Sequence, residues 1–254
     1  MTLTTQDVIP MKIFLTGYLG YLGQQFLQRY GKDYEIVGYD LKDGDDILDY
    51  DNLKQKMQGC QQVVHLAAIP KPVEGRSFED YFKINVEGTR NIARAAEELG
   101  VERIIYASST TVYGIEAGIP FSIPIKEDQP IVAQYITANQ LSCRDVDLSY
   151  HVSKVMAEQI MAWYGLNKKL QTTALRFGPI GKVFLGTSVS DVNAAQAIKL
   201  ALDYEGELWY EAFSIVDDLD HIDNSKAKGI LGYVPEQPTY PPEKIRSGLE
   251  ARAI

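Results

Sequence analysis

The chain has few cysteines and histidines, and its acidic residues outnumber its basic ones. The two cysteines, Cys60 and Cys143, lie far apart and outside any CxxC or Cys/His spacing. We therefore expect neither a disulfide framework nor a metal site. No cluster of Lys and Arg offsets the net charge of -9, and such a charge repels phosphate backbones. A small molecule is a better candidate partner than a nucleic acid.

Long apolar runs are also absent, and none of those present could span a bilayer. The first residues lack the basic and then apolar order of a secretory signal. We expect a cytoplasmic protein that does not contact membranes. Its 254 residues, 45% of them hydrophobic, suffice to bury one full core.

The sequence does contain short apolar runs that alternate with stretches of helical spacing. Residues 11–16 end at a glycine and are typical of a buried parallel strand, and residues 20–30 then show helical spacing. Further strands are predicted at 35–39, 62–66, 103–107 and 172–175, and a helix at 85–99. The pattern predicts an α/β fold, a Rossmann-type doubly wound parallel sheet that binds ligands at the carboxyl ends of its strands.

Three glycines at a spacing of three follow the first strand and open the first helix: Gly17, Gly20 and Gly23. There the first glycine permits a tight turn, the second lets the backbone approach a pyrophosphate, and the third lets the helix pack on the strand. The helix N-terminus adds a partial positive charge. A glycine-rich turn without a ligand has the same spacing, so the prediction needs a second feature.

Asp40 is that feature, because it ends the second predicted strand about 20 residues further on. A carboxylate there accepts hydrogen bonds from the adenosine ribose and repels a 2′-phosphate, which favours NAD over NADP. Lys42 could tolerate that phosphate, although a solvated loop lysine is the simpler interpretation. Asp46 and Ile47 could hold the adenine edge or belong to a charged loop.

Tyr150 and Lys154 lie one turn apart on one face of a predicted helix. An ammonium beside a phenol lowers the phenol pKa from its usual value of about 10, so that tyrosine can act as a base. YxxxK also arises by chance in a chain of this size. Ser108, Ser109 and Thr110 support the functional interpretation, because they end another predicted strand with hydroxyl groups that could hold a substrate oxygen. A polar strand end is the alternative.

Taken in order, these motifs resemble those of the extended short-chain dehydrogenases/reductases, the NAD-dependent epimerase/dehydratase family. The resemblance implies NAD as cofactor, a Ser109 that hydrogen-bonds the reacting oxygen, a Tyr150 that moves its proton, and a Lys154 that also binds the nicotinamide ribose. It covers nearly the whole chain, through residues 16–23, Asp40, Asp46-Ile47, 64–68, 85–89, 107–109, 112–114, 150–154 and 231–235.

The candidate site residues follow from these motifs and the resemblance. The catalytic candidates are Ser109, Tyr150 and Lys154. The cofactor-binding candidates are Gly17, Gly20, Tyr21, Leu22, Gly23, Asp40, Asp46, Ile47, Leu66, Ala67, Ala68, Asn85, Tyr150, Lys154 and Phe177. The substrate-binding candidates are Ser109, Thr110, Tyr150 and Arg176. His65 lies inside an apolar strand and is expected to be a core histidine.

The domain organisation is predicted from where the alternation loosens, after Arg176. We assign residues 11–176 to an NAD-binding domain with an insertion at about 115–149, in which 131–141 could form a helix. Residues 177–254 are assigned to a small substrate-binding cap interleaved with the last sheet elements. Its predicted elements are a helix at 191–202, a strand at 207–210 and a short helix before 231–235. The insertion could be a lid, a subunit contact or a neutral surface segment.

The chain departs from the family pattern at residues 176–181, where the Asn of the usual Arg-x-x-Asn-x-Tyr-Gly-Pro segment is missing. Together with the short cap, this argues against a nucleotide-sugar and for a smaller free sugar. Resemblance to compact members such as uronate dehydrogenases implies that Arg176 clamps a substrate carboxylate. Those enzymes have Asn-His where this chain has Thr110-Thr111, so the substrate stays open. Two threonines also cannot replace the Asp-Glu pair of the 4,6-dehydratases.

Three functions are compatible with these residues. The first is an NAD-dependent dehydrogenase of a sugar or sugar acid, and the second is an epimerase that uses the same residues without net change in NAD. The third is a non-catalytic redox sensor, against which the retained Ser109, Tyr150 and Lys154 weigh. The family resemblance also implies a homodimer that pairs through the tyrosine helix. Its apolar residues are Val155, Met156, Ile160, Met161 and Trp163, some of which must face the core.

Overall fold

The fold is a six-stranded, all-parallel sheet with strand order β2-β1-β3-β4-β5-β6. The structure is a computed structural model that describes residues 10–115, 119, 121–129, 131, 143–181, 187–218 and 221–236. The strands are β1 Lys12–Thr16, β2 Glu35–Tyr39, β3 Gln62–His65, β4 Arg103–Ser109, β5 Gln171–Phe177 and β6 Glu211–Ile215. The helices are α1 Tyr21–Tyr30, α2 Tyr50–Met57, α3 Phe78–Tyr81, α4 Gly88–Leu99, α5 Asp145–Leu166, α6 Asp191–Leu202 and α7 Ser225–Leu231. The predicted Rossmann-type sheet is confirmed.

Both faces of the sheet are covered, which explains why its strands are almost continuously apolar. Side chains alternate along a strand, so Ile13 and Leu15 of β1 join the core under α1 and α6, whereas Phe14 joins the core under α2, α4 and α5. On the second face, α5 contributes Met161, which is fully buried. The helix that carries Tyr150 is therefore anchored firmly to the sheet.

The chain reverses its direction of winding at β1, which has β2 on one side and β3 on the other. In an open parallel sheet, the crevice at the carboxyl ends of two such strands is where ligands bind. The glycine loop follows β1, and residues 66–68 follow β3. The topology therefore brings the two predicted cofactor segments to the same crevice.

The predicted helix at 85–99 is longer and less regular than the sequence indicated. A π-helical segment, Phe82–Glu87, connects α3 to α4 without a break. Such segments occur often at functional sites, because they redirect a side chain out of the regular helical spacing. Here the segment contains Asn85, one of the predicted site residues.

The C-terminal part of the chain corrects one prediction. The last strand is Glu211–Ile215 rather than 207–210, and it extends the sheet beside β5. Residues after 176 therefore complete the parallel sheet, and α6 packs beside α1 in the same core. The helix at 191–202 has the predicted limits. The division into an NAD-binding domain and an interleaved substrate-binding cap stays a prediction.

The insertion is shorter than the predicted 115–149, because α5 already begins at Asp145. Of the predicted helix at 131–141, residues 132–141 lie outside the described part of the chain. The described insertion residues Phe121 and Ile125 pack with Tyr113 and Ile222 in a small separate core. A bridge between Ile125 and Ile222 connects the insertion to the segment before α7.

Among the residues that the structure describes, no helix is long and apolar enough to cross a membrane. The same residues contain no cluster of His, Cys, Asp and Glu that could hold a metal ion.

Candidate active site

The glycine loop lies between β1, the end of β3 and the first turn of α1. Gly17 has a φ of +70°, a conformation that favours glycine, and its N–H donates to the Tyr39 carbonyl at 2.8 Å. A Cβ on Gly17 would lie 2.7 Å from the Ala67 nitrogen, and one on Gly23 would lie 2.6 Å from the Gly17 carbonyl oxygen. Side chains at these positions would fill the loop, so the three glycines keep a cradle of bare backbone.

The first turn of α1 can bind an anion next to the glycine loop. Gly20 is the N-cap, and no side chain caps the helix. The Tyr21 ring is 59% exposed, and Leu22 is half-buried. Backbone N–H groups at an uncapped helix start, together with the helix dipole, favour a phosphate. The arrangement fits the diphosphate of a dinucleotide.

Asp40 is buried beside this loop. Its two carboxylate oxygens accept hydrogen bonds from the Leu19 N–H at 3.0 Å and the Lys42 N–H at 2.9 Å. The Lys42 ammonium is engaged elsewhere, because it donates to the Leu19 carbonyl at 2.9 Å. The carboxylate is therefore oriented by backbone, at the end of β2 where the ribose of a dinucleotide would be recognised.

The acidic loop that follows is held by its own contacts. The Asp46 carboxylate accepts from the Leu48 N–H at 2.9 Å, and the Asp46 carbonyl accepts from the Tyr39 hydroxyl at 2.8 Å. Ile47 is buried against α4, where a Cβ on Gly88 would lie 2.4 Å from its Cδ1. These contacts give Asp46 and Ile47 a structural function, and their predicted contact with adenine stays a prediction.

Asn85 joins the end of β3 to α5. Its Oδ1 accepts from the Ile69 N–H at 2.8 Å, and its Nδ2 donates to the Ile69 carbonyl and to the Ser153 Oγ at 2.9 Å. Just before Ile69 lie the predicted cofactor residues Leu66, Ala67 and Ala68, which are all half-buried. Asn85 therefore aligns these residues with the helix that carries Tyr150 and Lys154.

Lys154 connects the tyrosine helix to the strand of Ser109. It is 5% exposed, and its ammonium donates to the Ala107 carbonyl at 2.9 Å and to the Tyr106 hydroxyl at 3.4 Å. Burial lowers the pKa of Lys154 to about 8, although the Glu158 carboxylate acts in the opposite direction. Tyr150, one turn earlier, is 7% exposed and packs edge-on against Tyr81.

Ser109 is the last residue of β4, and its Oγ accepts from the Thr111 N–H at 3.2 Å. Thr110 follows in a buried turn. Phe177 ends β5 directly beside Ser109 in the sheet register. The structure thus brings Ser109, Phe177 and, through Lys154, the tyrosine helix to one end of the sheet.

Arg176 does not have the environment that we predicted. It is 5% exposed, and its Nη2 contacts the buried Glu158 Oε1 at 2.6 Å. Its Nη1 also donates to the Tyr113 hydroxyl and the Glu127 carbonyl. The guanidinium already has a carboxylate partner within the chain, so this arrangement speaks against the predicted clamp on a substrate carboxylate. Glu158 and Tyr106 were not predicted as site residues. Glu158 could have been, because it lies one helical turn after Lys154 on α5.

His65 is a core histidine, as predicted. It is 1% exposed, and its ring nitrogens contact the Thr16 and Thr89 hydroxyls at 2.8 and 2.9 Å. These contacts join β1, β3 and α4 beneath the glycine loop. Burial lowers the pKa of His65 to about 3, and the nearby Lys154 ammonium acts in the same direction.

We expect the neutral His65 to make folding sensitive to acid. The unfolded histidine binds its proton near the ordinary value of 6.5, well above the folded pKa. The contribution of neutral His65 to the free energy of unfolding is therefore fully present above about pH 6.5. It is lost as the pH falls from there towards the folded pKa, by about 2 kcal/mol between pH 7 and pH 5. A His65→Gln variant should lack this part of the pH dependence, which urea unfolding at the two pH values measures. Equal pH dependence in the two proteins would contradict the assignment.

The sequence matches one protein family over most of its length. Residues 13–182 match the NAD dependent epimerase/dehydratase family. The chain belongs to this family. The resemblance inferred from the motifs is confirmed, and the matched region contains the glycine loop, Asp40, Ser109, Tyr150 and Lys154.

A curated relative is an L-arabinose 1-dehydrogenase (NAD(P)(+)) of Haloferax volcanii. It is 25% identical over an alignment of 174 residues that covers 66% of this chain and 66% of that protein. Across the first curated relatives, the chain spans between 21% and 66% of their length.

Solved structures share the fold of this chain. A short-chain dehydrogenase/reductase superfamily protein from Agrobacterium tumefaciens, solved with bound NAD, has a TM-score of 0.74 at 18% identity and covers 95% of this chain and 98% of that one. A uronate dehydrogenase from Agrobacterium tumefaciens has a TM-score of 0.71 at 21% identity, over 97% of this chain and 91% of that one. At these identities the likeness establishes the fold alone.

Proposed function

We propose that the chain is an NAD-dependent oxidoreductase that interconverts a hydroxyl and a keto carbon of a sugar. The observation that carries the proposal is the contact of Lys154 with Ala107. It joins the Tyr150–Lys154 helix to the strand that ends in Ser109, at the sheet end where the glycine loop and Asp40 also lie.

Each residue has a definite task in this reaction. Ser109 would hold the substrate oxygen, and Tyr150 would remove the hydroxyl proton during oxidation or return it during reduction. The Lys154 ammonium would favour the Tyr150 phenolate and bind the ribose next to the nicotinamide. The glycine loop and the start of α1 would bind the diphosphate, and Asp40 the adenosine ribose. Bound NAD supplies the hydride acceptor.

The substrate class is narrowed by Arg176. A sugar carboxylate would have to compete with Glu158 for this buried guanidinium, and separating a buried ion pair is costly. The arrangement therefore favours an uncharged sugar over a sugar acid. The Haloferax volcanii relative, named for L-arabinose, is consistent with such a substrate.

The proposal is tested by mixing the purified full chain with NAD and a panel of sugars and sugar acids. We expect reduced nicotinamide to form in proportion to an uncharged sugar consumed. Interconversion of two sugars without added cofactor would identify an epimerase instead. Binding of NAD without turnover of any compound would identify a redox sensor and refute the proposed activity.

Asp40 should set the choice between NAD and NADP. Replacing Asp40 with serine removes the charge that repels a 2′-phosphate, so the preference for NAD should fall by about tenfold or more. Binding of both dinucleotides by calorimetry measures the change. Asp51→Asn removes an exposed carboxylate in the first turn of α2 and should leave the preference unchanged. An unchanged preference in the Asp40 variant would exclude this assignment.

The predicted homodimer remains part of the proposal. Met161 is fully buried and belongs to the core, whereas Trp163 on the same helix is 51% exposed. Trp163, with the neighbouring exposed Leu166, could contribute to a subunit contact at the end of α5. The mass of the chain in solution, measured by light scattering, tests this; a monomer at all concentrations would exclude the contact.

A further inference from the structure

A buried carboxylate that the reaction above does not use lies directly behind the site. Glu158 is 1% exposed and follows Lys154 by one turn of α5. Its Oε2 accepts a hydrogen bond from the Ser108 Oγ at 2.5 Å, and its Oε1 accepts from the Arg176 Nη2 at 2.6 Å and the Tyr210 hydroxyl at 3.1 Å. Helix α5, strands β4 and β5 and the segment before β6 all meet at this one group.

One Glu158 contact and one Lys154 contact form a clamp between α5 and β4. Lys154 donates to the carbonyl of Ala107, and Glu158 accepts from the side chain of Ser108. One turn of helix is thereby pinned to two consecutive residues of a strand, and the next residue of that strand is Ser109. Tyr150 is carried by the same helix, one turn before Lys154.

We propose that Glu158 is a positioning residue of this site. With Lys154 it pins α5 to the end of β4, which sets where Tyr150 stands relative to Ser109, and its charge balances the Lys154 ammonium. The inference rests on the proposed function for its catalytic meaning, but the clamp and the charge can be tested without turnover.

The need for a carboxylate rather than a neutral acceptor follows from its neighbours. Lys154 and Arg176 are both buried, and a buried cation without a counter charge is strongly disfavoured. Among the causes that act on the pKa of Lys154, burial lowers it and the Glu158 charge raises it. Among the described residues, the titratable or charged groups that face this region are Tyr150 and Glu158 from α5, Tyr106 from β4, His65 from β3, Arg176 from β5, Tyr113 from the turn after β4, Glu127 from the insertion, and Tyr210.

Glu158→Gln separates charge from shape, since glutamine can still accept the Ser108 hydrogen bond. NMR of the chain with 15N-labelled lysine follows the Lys154 titration. The Lys154 signal is identified as the one that is missing from the spectrum of Lys154→Arg. We expect the Lys154 pKa to fall by about one unit or more in Glu158→Gln. Ser108→Ala removes only the Glu158–Ser108 contact of the clamp and should leave the Lys154 pKa unchanged. Glu97→Gln is the matched control, because Glu97 lies on α4 and pairs with Lys169 at the surface. It should leave the Lys154 pKa unchanged.

The pH dependence of kcat distinguishes the loss of the Glu158 charge from a general loss of structure. The proposed active form combines a Tyr150 phenolate with a Lys154 ammonium. Without the Glu158 charge, Lys154 loses its proton at lower pH. The basic limb of kcat should therefore move to lower pH, by about as much as the Lys154 titration moves. Ser108→Ala should lower kcat several-fold through misplacement, with the limb unmoved.

A lower kcat with an unmoved basic limb in Glu158→Gln, or an unchanged Lys154 titration, would overturn the proposal. If Glu158→Gln does not fold because Arg176 is left unpaired, the double variant Glu158→Gln/Arg176→Met removes both charges. A smaller fall in the Lys154 pKa is expected from it, because the loss of the Arg176 charge acts in the opposite direction. An inactive wild-type chain would refute the proposed function, whereas the NMR titration would still decide the role of Glu158.

Discussion

Replacing Tyr150 with phenylalanine is expected to lower turnover by about a thousandfold or more. The variant loses the hydroxyl that we propose moves the substrate proton, and such general acid–base groups contribute roughly a hundredfold to ten-thousandfold. The ring itself, which packs against Tyr81 at a centroid distance of 6.2 Å, is kept. Binding of NAD and the unfolding free energy should therefore change little. Steady-state kinetics and calorimetry measure the two effects separately.

Tyr81→Phe provides a matched control for this prediction. Tyr81 is fully buried beside Tyr150, but its hydroxyl accepts from the Val73 N–H at 2.8 Å and donates to the Lys71 carbonyl. Its loss should cost stability, about 1 kcal/mol for the hydrogen bonds, and turnover should stay within a few-fold of wild type. A Tyr150→Phe enzyme with more than about a tenth of the wild-type rate would remove Tyr150 from the catalytic role.

Replacing Gly23 with alanine should have the largest effect on cofactor binding. The added Cβ would lie 2.6 Å from the carbonyl oxygens of both Gly17 and Tyr18. These are backbone atoms that cannot rotate away, so α1 must move off the loop. We expect a loss of about 1–3 kcal/mol of unfolding free energy and a fall of at least about tenfold in NAD affinity, because the α1 amides shift from the diphosphate position.

Gly229→Ala is the control for this substitution. Gly229 lies inside α7, and a Cβ there would meet no atom within 4 Å. Alanine favours the helix over glycine by about 1 kcal/mol, so this variant should be as stable as wild type or more so, with unchanged NAD affinity. Equal NAD affinity in Gly23→Ala and wild type would show that the loop does not bind the diphosphate.

Much of the sheet could be predicted because a buried parallel strand is apolar on both faces and therefore visible in the sequence. The limits of β2 agree with the prediction, and so do those of α6. The last strand was placed four residues too early, since residues 207–210 are as strand-like as 211–215. Only pairing with β5 distinguishes the two segments, and pairing is a long-range property.

Some features of the candidate site were predictable from the sequence, and others depend on the tertiary structure. The sequence alone predicts the glycine loop, Asp40 and the Tyr150–Lys154 pair as site residues, because each prediction depends on short-range spacing along the chain. Only the tertiary structure decided the partner of Arg176, since Glu158 lies on a different element and no local pattern connects them. It likewise placed Tyr106 against Lys154, because a strand and a helix must first pack before their side chains can meet.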